Sequence, residues 1–560
     1  MNNSRTTSRF AKRFATGLGV VVLASSVAIP AGGAKQVPSA SAKNDLTIMI
    51  AEPNSGWCNQ DSPGGGQVAA KNAVFESLTT KAENGKIVPY LAKSVEPSAD
   101  FKTWTVTLRP GIKFHDGEEL TSKTLQMNFL AFTGLIQAVT GGKGQAGSLP
   151  AIAWLDSMGV NSKSGAAAIG AAWAKYFKII DTYTVQFNLA WANPNFNYNL
   201  WSEGRTTIAS SATLLNPNCG NTMGAGTGPF MISQKGVDQL TTVLTANPSY
   251  WRSTAENPLP KAKTLTFKVV GDAAQRVNAL RKGQANIITL GATSGTQINL
   301  AKTLKSQMTV ITGPRDITWS YHLNTVSLPF KSKNAREAFA YALDKETYVK
   351  VMTKGNADVP KSIGTPSHPY YQPKGMLSFD LAKAKASAAA YKTETGKDLE
   401  IVVPINTESD SLKGAQLVCK MMAAAGIACS ISSPVTSTQY ILRGFALQQQ
   451  MSFFNVVAGT SASFANLFST ATDLELSGFR FTNPALAACF TTARSTDTRP
   501  GYRPCVQELQ TNSYWVPGYI EGQTVAVAKG TKVGTSKLPN GATRPILLPS
   551  GIDFASITVS

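Results

Sequence analysis

The sequence predicts an α/β protein whose sheets are at least partly parallel. Segments with apolar residues at alternate positions, as in strands, are interleaved with segments whose apolar residues recur every third or fourth position, as in helices. Strands that alternate with helices favour parallel pairing, because parallel neighbours need a crossover connection. The 560 residues are 43% hydrophobic and 15% charged, a globular composition, and the length corresponds to about three to four domain-sized units.

Residues 1–42 are predicted to be a secretory signal peptide. Basic residues between Arg5 and Arg13 precede an apolar run over residues 14–30, and Ala40-Ser41-Ala42 resembles a cleavage site. The apolar run is short and contains glycine and serine, whereas a membrane helix needs about 20 apolar residues. Cleavage before Lys43 is therefore favoured over an uncleaved anchor. The signal peptide predicts an extracytoplasmic protein, located in the periplasm or the cell envelope. No cysteine precedes Cys58, so we expect no lipid-attachment cysteine.

The first half of the mature chain is predicted to be rich in strands. Strands are expected at residues 45–51, 104–108, 182–189 and 230–232, with a helix at residues 68–78. Arg109-Pro110-Gly111 predicts a turn after the second strand. Residues 140–174 are rich in Gly, Ala and Ser, and the spacing of Ile169, Trp173 and Phe177 indicates a loop followed by a helix.

The second half alternates more regularly between helix and strand. Helices are expected at residues 273–282, 335–342, 381–391 and 412–425, and strands at residues 399–403 and 427–431. Gly426 is expected to end the helix before it. A short polar-aromatic strand after Pro314 contains Trp319, Tyr321 and His322.

The six cysteines are predicted to form disulfides. An even number in an exported chain favours disulfides over metal ligands, and no C-x-x-C motif is present. Fifteen pairings are formally possible. Short separations favour Cys419–Cys429 and Cys489–Cys505, which leaves Cys58–Cys219; some free buried thiols are the alternative.

The charge balance does not predict nucleic-acid binding. Residues 1–42 hold five of the 53 basic residues and none of the 33 acidic ones, so the mature chain keeps a net charge of +15. The basic residues are scattered and form no dense run interleaved with aromatic residues. Attraction to an anionic envelope or to an acidic ligand is the better interpretation.

No catalytic, cofactor or metal motif is found. The sequence has no G-x-S-x-G and no Walker-type loop, and the glycines of residues 224–229 precede a proline and predict a turn into a strand. His115, His322 and His368 are far apart and belong to no ligand pair, so packing or surface roles are expected for them. The chain is accordingly not expected to be an enzyme.

Aromatic residues are the candidate ligand contacts. Trp57 lies in a loop after the first strand, and Trp319, Tyr321 and His322 share one short strand. Aromatic side chains at strand ends and in loops can line a cleft with large apolar surfaces. Packing in the core explains each of them equally well.

Several segments resemble the family 5 extracellular solute-binding proteins of ABC importers, which include dipeptide, oligopeptide and nickel binders. Residues 91–98 (LAKSVEPS), continuing to residues 104–117 (WTVTLRPGIKFHDG), resemble the signature of that family. Further matching segments are residues 181–185, 226–230, 247–251, 276–283 and 329–344. The resemblance covers nearly the whole mature chain.

The resemblance implies a two-lobed, periplasmic-binding-protein-like fold of type II with an extra subdomain in lobe one. Lobe one would comprise residues 43–316, with the subdomain at about 86–218, and would be completed by residues 514–560; lobe two would be residues 317–513. Crossing strands near residues 317–323 and 514–519 would form the hinge. A monomer would close around a peptide-like or other small organic solute and present it to the permease subunits of an importer. The disulfides Cys58–Cys219 and Cys419–Cys429 agree with those of relatives.

One departure from the family concerns the ligand. Peptide-binding relatives carry a Gly-Trp-x-x-Asp stretch whose acid pairs with the peptide ammonium, but the corresponding residues 453–461 contain neither Trp nor Asp. A buried ammonium without a carboxylate loses a charge-assisted bond. Polar and small groups here would suit a neutral or anionic solute: Asn455, Gly459, Thr460 and Ser461. The alternatives are a nickel-chelate or metallophore binder of the same fold, a secreted hydrolase and an envelope chaperone.

Overall fold

The computed structural model describes most of the chain after the predicted signal peptide. The described residues are 44–52, 57, 70–140, 154–155, 157–160, 164–216, 224–233, 240–368, 370–456, 483, 485–486, 488–489, 492–493, 502–548 and 551–559. Within these ranges no helix combines the length and apolar character needed to cross a membrane. The predicted signal peptide, Cys58 and Cys219 lie outside the described residues.

A seven-stranded mixed sheet forms the centre of what we call the first body. Its strands, in spatial order, are Met308–Thr312, Thr524–Ala528, Ile287–Leu290, Asp45–Ile50, Thr264–Val269, Thr241–Ala246 and Phe230–Ile232. The strand Asp45–Ile50 is parallel to both of its neighbours, and the other pairs are antiparallel. Ile48 and Met49 belong to different hydrophobic clusters, so apolar layers cover both faces of the sheet at this strand.

A four-stranded antiparallel sheet forms a separate part of the first body. It contains Ala92–Pro97, Thr103–Leu108, Thr184–Asn188 and Phe177–Ile179, in that order. The helices Ser122–Phe132 and Ala166–Tyr176 accompany it. Its core is aromatic: the ring of Phe129 lies 4.8 Å from those of Trp154 and Phe187. Edge-to-face packing of this kind adds stability beyond the buried area.

A second body is built on the two-stranded parallel sheet of Glu400–Val403 and Ala428–Ile431. The second body also contains the helices Lys333–Ala342, Lys345–Thr353, Leu381–Thr395, Ser409–Ala424, Ser437–Phe445 and Arg503–Thr511. Cys419 pairs with Cys429 at an S–S distance of 2.02 Å, and Cys489 pairs with Cys505 at 2.06 Å. Both short-range pairings predicted from the sequence are therefore present.

A three-stranded antiparallel sheet lies where the chain passes between the two bodies. It comprises Met451–Val456, Ile317–Leu323 and Trp515–Glu521, with Ile317–Leu323 in the middle. The middle strand begins five residues after Met308–Thr312 ends, and Trp515–Glu521 ends three residues before Thr524–Ala528 begins. Both neighbouring strands belong to the seven-stranded sheet, so the two bodies are joined by two adjacent, paired strands.

The remaining elements are short or lie at the edges of these bodies. Three strand pairs are Thr79–Lys81 with Ile87–Pro89, Thr531–Lys532 with Thr558–Val559, and Leu547–Leu548 with Gly551–Ile552. The other α-helices are Ile136–Val139, Phe196–Asn199, Ser211–Leu215, Ala273–Arg281 and Gly295–Thr303, and the 3-10 helices are Ser202–Gly204, Ala292–Ser294 and Phe554–Ser556.

Most of the predicted elements are confirmed, with shifts of a few residues at their ends. The prediction of a helix at residues 68–78 is wrong over residues 72–78. Residues 72–74 form a turn, and Glu76 makes an isolated bridge with Ile208. Phe75 and Leu78 are fully buried in two different clusters. Their contacts outweigh the helical spacing because tertiary burial overrides local propensity.

Candidate functional site

The three-stranded sheet between the bodies presents aromatic side chains on one face. We define the aromatic wall as Trp319, Tyr321, Phe453 and Tyr519. The ring centroids of Tyr321 and Phe453 are 4.3 Å apart, and that of Trp319 lies 5.6 Å from Phe453 and 5.8 Å from Tyr519. Tyr321 and Tyr519 are buried, whereas Trp319 and Phe453 are partly exposed. The buried pair therefore supports the two partly exposed rings, whose surfaces are accessible at this face.

A buried carboxylate fixes the orientation of the Trp319 indole. Trp319 Nε1 donates to Glu521 Oε1 at 2.5 Å, and Ala292 N donates to Glu521 Oε2 at 2.8 Å. Burial raises the pKa of Glu521, and the two hydrogen bonds oppose that rise. Glu521 thus ties the aromatic wall to the first body, in which Ala292 follows a strand of the seven-stranded sheet.

His322 points away from the aromatic wall, because successive side chains on a strand alternate between faces. Its ring stacks on Phe454 at 4.0 Å, and Nε2 lies 3.3 Å from the Phe454 carbonyl oxygen. Burial lowers the pKa of His322 to about 3, so the ring is neutral at physiological pH. The structure therefore places His322 in a packed aromatic environment with Trp515.

The other predicted ligand contacts have different surroundings. Trp57 is 2% exposed and packs in the hydrophobic cluster of the seven-stranded sheet. Asn455 is partly exposed and lies directly opposite Trp319 on the neighbouring strand. Gly459, Thr460 and Ser461 lie outside the described residues. Of the predicted set, the structure brings together Trp319, Tyr321 and Asn455.

Two carboxyl groups from different bodies interact, which the sequence analysis did not foresee. Glu52 follows the strand Asp45–Ile50, and Glu408 precedes the helix Ser409–Ala424. The hydrogen bond to Glu408, together with burial, raises the pKa of Glu52 to about 9. Nothing in the local sequence pairs residues 356 positions apart, so no pattern could have revealed this contact.

A second polar group missed by the sequence analysis has a structural role. Tyr90 and Tyr250 donate to Glu76 Oε1 at 2.7 Å each, Trp251 Nε1 donates to Oε2 at 2.7 Å, and Thr227 Oγ1 donates to Oε2 at 2.9 Å. Four donors satisfy this buried carboxylate. The network extends through Arg252 and Arg544, which lie 3.7 and 3.8 Å from Asp553.

The two other histidines pack against their surroundings, which is one of the two roles predicted for them. His115 Nε2 lies 2.9 Å from the Gly228 carbonyl oxygen, and Gly226 N donates to Nδ1 at 3.3 Å. His368 stacks on Tyr370, and burial lowers the pKa of His368 to about 4. Across the part of the chain that the structure describes, no group of three or more His, Cys, Asp or Glu side chains is placed to hold a metal ion.

Two bodies joined by two paired crossing strands define the class of two-lobed solute-binding proteins. The family model of bacterial extracellular solute-binding proteins, family 5 (Middle), matches residues 86–474. The chain therefore belongs to the family 5 bacterial extracellular solute-binding proteins, as the sequence resemblance predicted.

Curated relatives are moderately similar in sequence. The nickel-binding periplasmic protein of Escherichia coli (strain K12) is 26% identical over 341 residues, which is 60% of this chain and 59% of that protein. The oligopeptide-binding protein AppA of Bacillus subtilis (strain 168) is 25% identical over 381 residues, which is 63% of this chain and 60% of that protein. The alignments thus span about 60% of the length of these two relatives.

Solved structures share the fold over nearly the whole chain. The murein tripeptide binding protein MppA of Escherichia coli has a TM-score of 0.75 at 18% identity, covering 93% of this chain and 99% of that one. The periplasmic binding protein DppA of Helicobacter pylori, in complex with the peptide STSA, has a TM-score of 0.74 at 18% identity, covering 92% and 98%. AgaA of A. tumefaciens R10, in complex with agropinic acid, has a TM-score of 0.73 at 20% identity, covering 92% and 99%.

Proposed function

We propose that this chain is the extracytoplasmic solute-binding protein of an ABC importer, and that it captures a peptide-like or other small organic solute by closing its two lobes. The observation that carries the proposal is the pair of crossing strands Ile317–Leu323 and Trp515–Glu521 beside the aromatic wall. A solute that contacts both bodies there stabilises the closed form, because it binds that form better than the open one. Family membership supports this mechanism.

The proposed lobes follow the two bodies. Lobe one comprises residues 43–316, with a subdomain at about 86–218, and residues 514–560 return to it; lobe two comprises residues 317–513. Residues 313–316 and 522–523 would absorb the backbone rotation, since they separate the crossing strands from the seven-stranded sheet.

The proposed solute contacts are centred on Trp319 and Asn455, which lie opposite each other and are both partly exposed. Tyr321 packs behind this surface, while Trp57 and His322 would hold the adjoining walls in place. Gly459, Thr460 and Ser461 follow the strand Met451–Val456 closely in sequence, so we retain them as proposed contacts.

This chain would favour a neutral or anionic solute, or a peptide that is bound without an ion pair to its ammonium group. Residues 453–461 contain no carboxylate to pair with an ammonium group. One structure with the same fold holds a peptide and another holds agropinic acid, so the fold accepts both kinds of molecule. A nickel chelate is the second candidate, because a curated relative is a nickel-binding protein.

Thermal unfolding of the mature protein tests the proposal. The probes are short peptides with free N-termini, the same peptides with acetylated N-termini, an opine, and nickel(II) held by a small organic acid. A solute at 100 times its dissociation constant adds about 2.7 kcal/mol to the free energy of unfolding. We expect stabilisation by an acetylated peptide or the opine at least equal to that by the free peptide. Absence of stabilisation by all four probes would overturn the proposal.

A pair of tryptophan variants locates the binding surface. Trp319→Leu removes the partly exposed ring of the aromatic wall, whereas Trp191→Leu removes a ring that is 42% exposed elsewhere. We expect at least a tenfold loss of affinity from the first change and none from the second. Equal affinity in the two variants would place the solute elsewhere.

The proposed partners are the permease subunits of the importer. Export would use the predicted signal peptide, and the protein would act as a monomer. We propose no enzymatic activity. The alternatives are distinguished by their own readouts: a secreted hydrolase would convert the bound probe, and an envelope chaperone would suppress aggregation of an unfolded client. Mass spectrometry of the recovered probe and light scattering of a client measure these outcomes.

A further inference from the structure

The seven-stranded sheet of the first body has two ends that differ in charge. Four of its strands run in the same direction: Asp45–Ile50, Thr264–Val269, Ile287–Leu290 and Met308–Thr312. The first is parallel to the second and third, and the third and fourth are both antiparallel to Thr524–Ala528. We define the outer end as the end where these four strands begin and the inner end as the end where they finish. The chain leaves the inner end for the crossing strands.

Backbone hydrogen bonds hold the turns of the outer end beside one another. Lys529 N donates to the Gln307 carbonyl oxygen at 2.8 Å, and Lys263 N donates to the Asn44 carbonyl oxygen at 2.7 Å. Each of these bonds joins turns that belong to neighbouring strands of the sheet. Side chains on these turns therefore share one surface, although they come from distant parts of the chain.

Basic residues predominate at the outer end. Seven lie on or directly beside the turns of four strands: Lys261, Lys263, Arg281, Lys282, Lys305, Lys529 and Lys532. Lys261 is partly exposed and the other six are exposed. Across the described part of the chain, none of the seven forms an ion pair. Two acidic residues, Asp45 and Glu256, share these connections. Arg252 is also found there, but it is already paired with Asp553.

The inner end has the opposite balance of charge. Four acidic residues lie on or beside the connections there: Glu52, Asp272, Asp316 and Glu521. The one basic residue on the described connections of this end, Arg315, is paired with Asp358. Positive charge is therefore concentrated at the end of the first body that lies away from the crossing strands. A charge separation of this kind orients a protein in the field of a charged surface.

We propose that the outer end of the first body is a docking surface for a membrane that contains anionic phospholipids. Its basic residues extend over five neighbouring strands, from Met308–Thr312 to Thr264–Val269. Neighbouring strands are about 4.8 Å apart, so the outer end is about 20 Å wide. A small anion is held by a few donors that converge in a concave site. A row of separate, exposed charges instead matches a bilayer surface, which attracts each lysine or arginine individually.

The contact with the bilayer should be electrostatic and reversible. On the described turns of the outer end no large apolar side chain is exposed, so none is available to enter the acyl layer. Salt screens exposed charges over about 8 Å at physiological ionic strength, so binding should weaken as the salt concentration is raised. The choice of a bilayer over a soluble acidic polymer rests on the proposed function, because a protein that serves a membrane importer acts at the bilayer.

Co-sedimentation of the mature protein with lipid vesicles tests the inference. The vesicles contain phosphatidylglycerol and phosphatidylcholine in equal parts, and vesicles of phosphatidylcholine alone are the neutral reference. We expect binding to the mixed vesicles at about 0.05 M salt, loss of that binding at about 0.5 M salt, and no binding to the neutral vesicles.

Two triple variants with the same change in net charge locate the surface. The first neutralises three exposed residues of the outer end: Lys282→Gln, Lys305→Gln and Lys529→Gln. The control neutralises three exposed lysines of the second body: Lys385→Gln, Lys397→Gln and Lys420→Gln. Each basic residue near the bilayer strengthens binding by up to about fivefold. We therefore expect the first variant to lose at least about tenfold in vesicle binding and the control less than about threefold.

Three results would overturn the inference: no binding of the wild-type protein to the mixed vesicles, equal losses in the two variants, or preferential binding of a soluble acidic polysaccharide added as a competitor. Circular dichroism of each variant shows that it has folded. Solute-induced stabilisation is measured without vesicles, so the two tests fail separately. A protein that binds solute but no vesicles keeps the proposed function and loses only this inference.

Discussion

The indole nitrogen of Trp319 donates a 2.5 Å hydrogen bond to Oε1 of Glu521 on the neighbouring strand. The second carboxyl oxygen accepts from Ala292 N, in the first body. One buried side chain therefore orients the aromatic wall and anchors a crossing strand at the same time. This double role couples the stability of the crossing strands to the orientation of the proposed binding surface.

Removal of the Glu521 carboxyl should destabilise the protein. In Glu521→Ala two buried donors lose their acceptor, and each unsatisfied group costs about 1–3 kcal/mol. We expect the free energy of unfolding to fall by about 2–5 kcal/mol in urea denaturation. Glu521→Gln, which keeps one acceptor oxygen, should lose less than half as much. Equal losses in the two variants would contradict the role assigned to the hydrogen bonds.

The network around Glu76 should be essential to the first body. Glu76→Ala leaves four donors without their acceptor in a buried site, and breaking such a network costs about 3–5 kcal/mol. Differential scanning calorimetry measures the loss. The matched control is Glu83→Ala, because Glu83 is exposed and its removal should change the stability by about 0.5 kcal/mol or less.

The buried His322 should make the protein less stable in acid. Its pKa is about 3 in the folded protein and 6.5 in the unfolded chain, so between these values the unfolded state binds more protons. Stability therefore falls as the pH drops below 6.5, by about 1.6 kcal/mol between pH 6.5 and 5 from this residue. Chemical denaturation at both pH values measures this loss. His322→Phe, which cannot titrate, should lose about 1.6 kcal/mol less over the same interval; an unchanged pH slope would contradict the prediction.

Gly226 should tolerate no side chain. A Cβ atom there would lie 2.1 Å from the Val74 carbonyl oxygen, whereas a Cβ at Gly165 would meet nothing within 4 Å. Overpacking of this kind costs about 1–3 kcal/mol. We expect Gly226→Ala to lower the unfolding temperature clearly and Gly165→Ala to leave it unchanged or slightly higher. Similar unfolding temperatures for the two variants would contradict the prediction, because they would mean that the turn containing Gly226 can move away from Val74.

Local sequence patterns predicted the elements whose burial follows a simple period. The strand Thr103–Leu108 and the helix Lys333–Ala342 lie where alternate or helical spacing placed them. The pairings Cys419–Cys429 and Cys489–Cys505 followed from short separation in a chain that is predicted to be exported. The predicted helix at residues 68–78 was wrong because Phe75 and Leu78 are drawn into separate cores, a long-range effect that local spacing does not contain.

The sequence by itself determined the α/β class, the short-range disulfides and, through resemblance, the family of this protein. Those features depend on neighbouring residues or on motifs that can be recognised along the chain. Only the tertiary structure decided that Trp319 is oriented by Glu521 and that Glu408 raises the pKa of Glu52. The partners in these pairs are separated by 202 residues in the first case and by 356 in the second. Contacts over such distances depend on how the two bodies pack, which no local periodicity can specify.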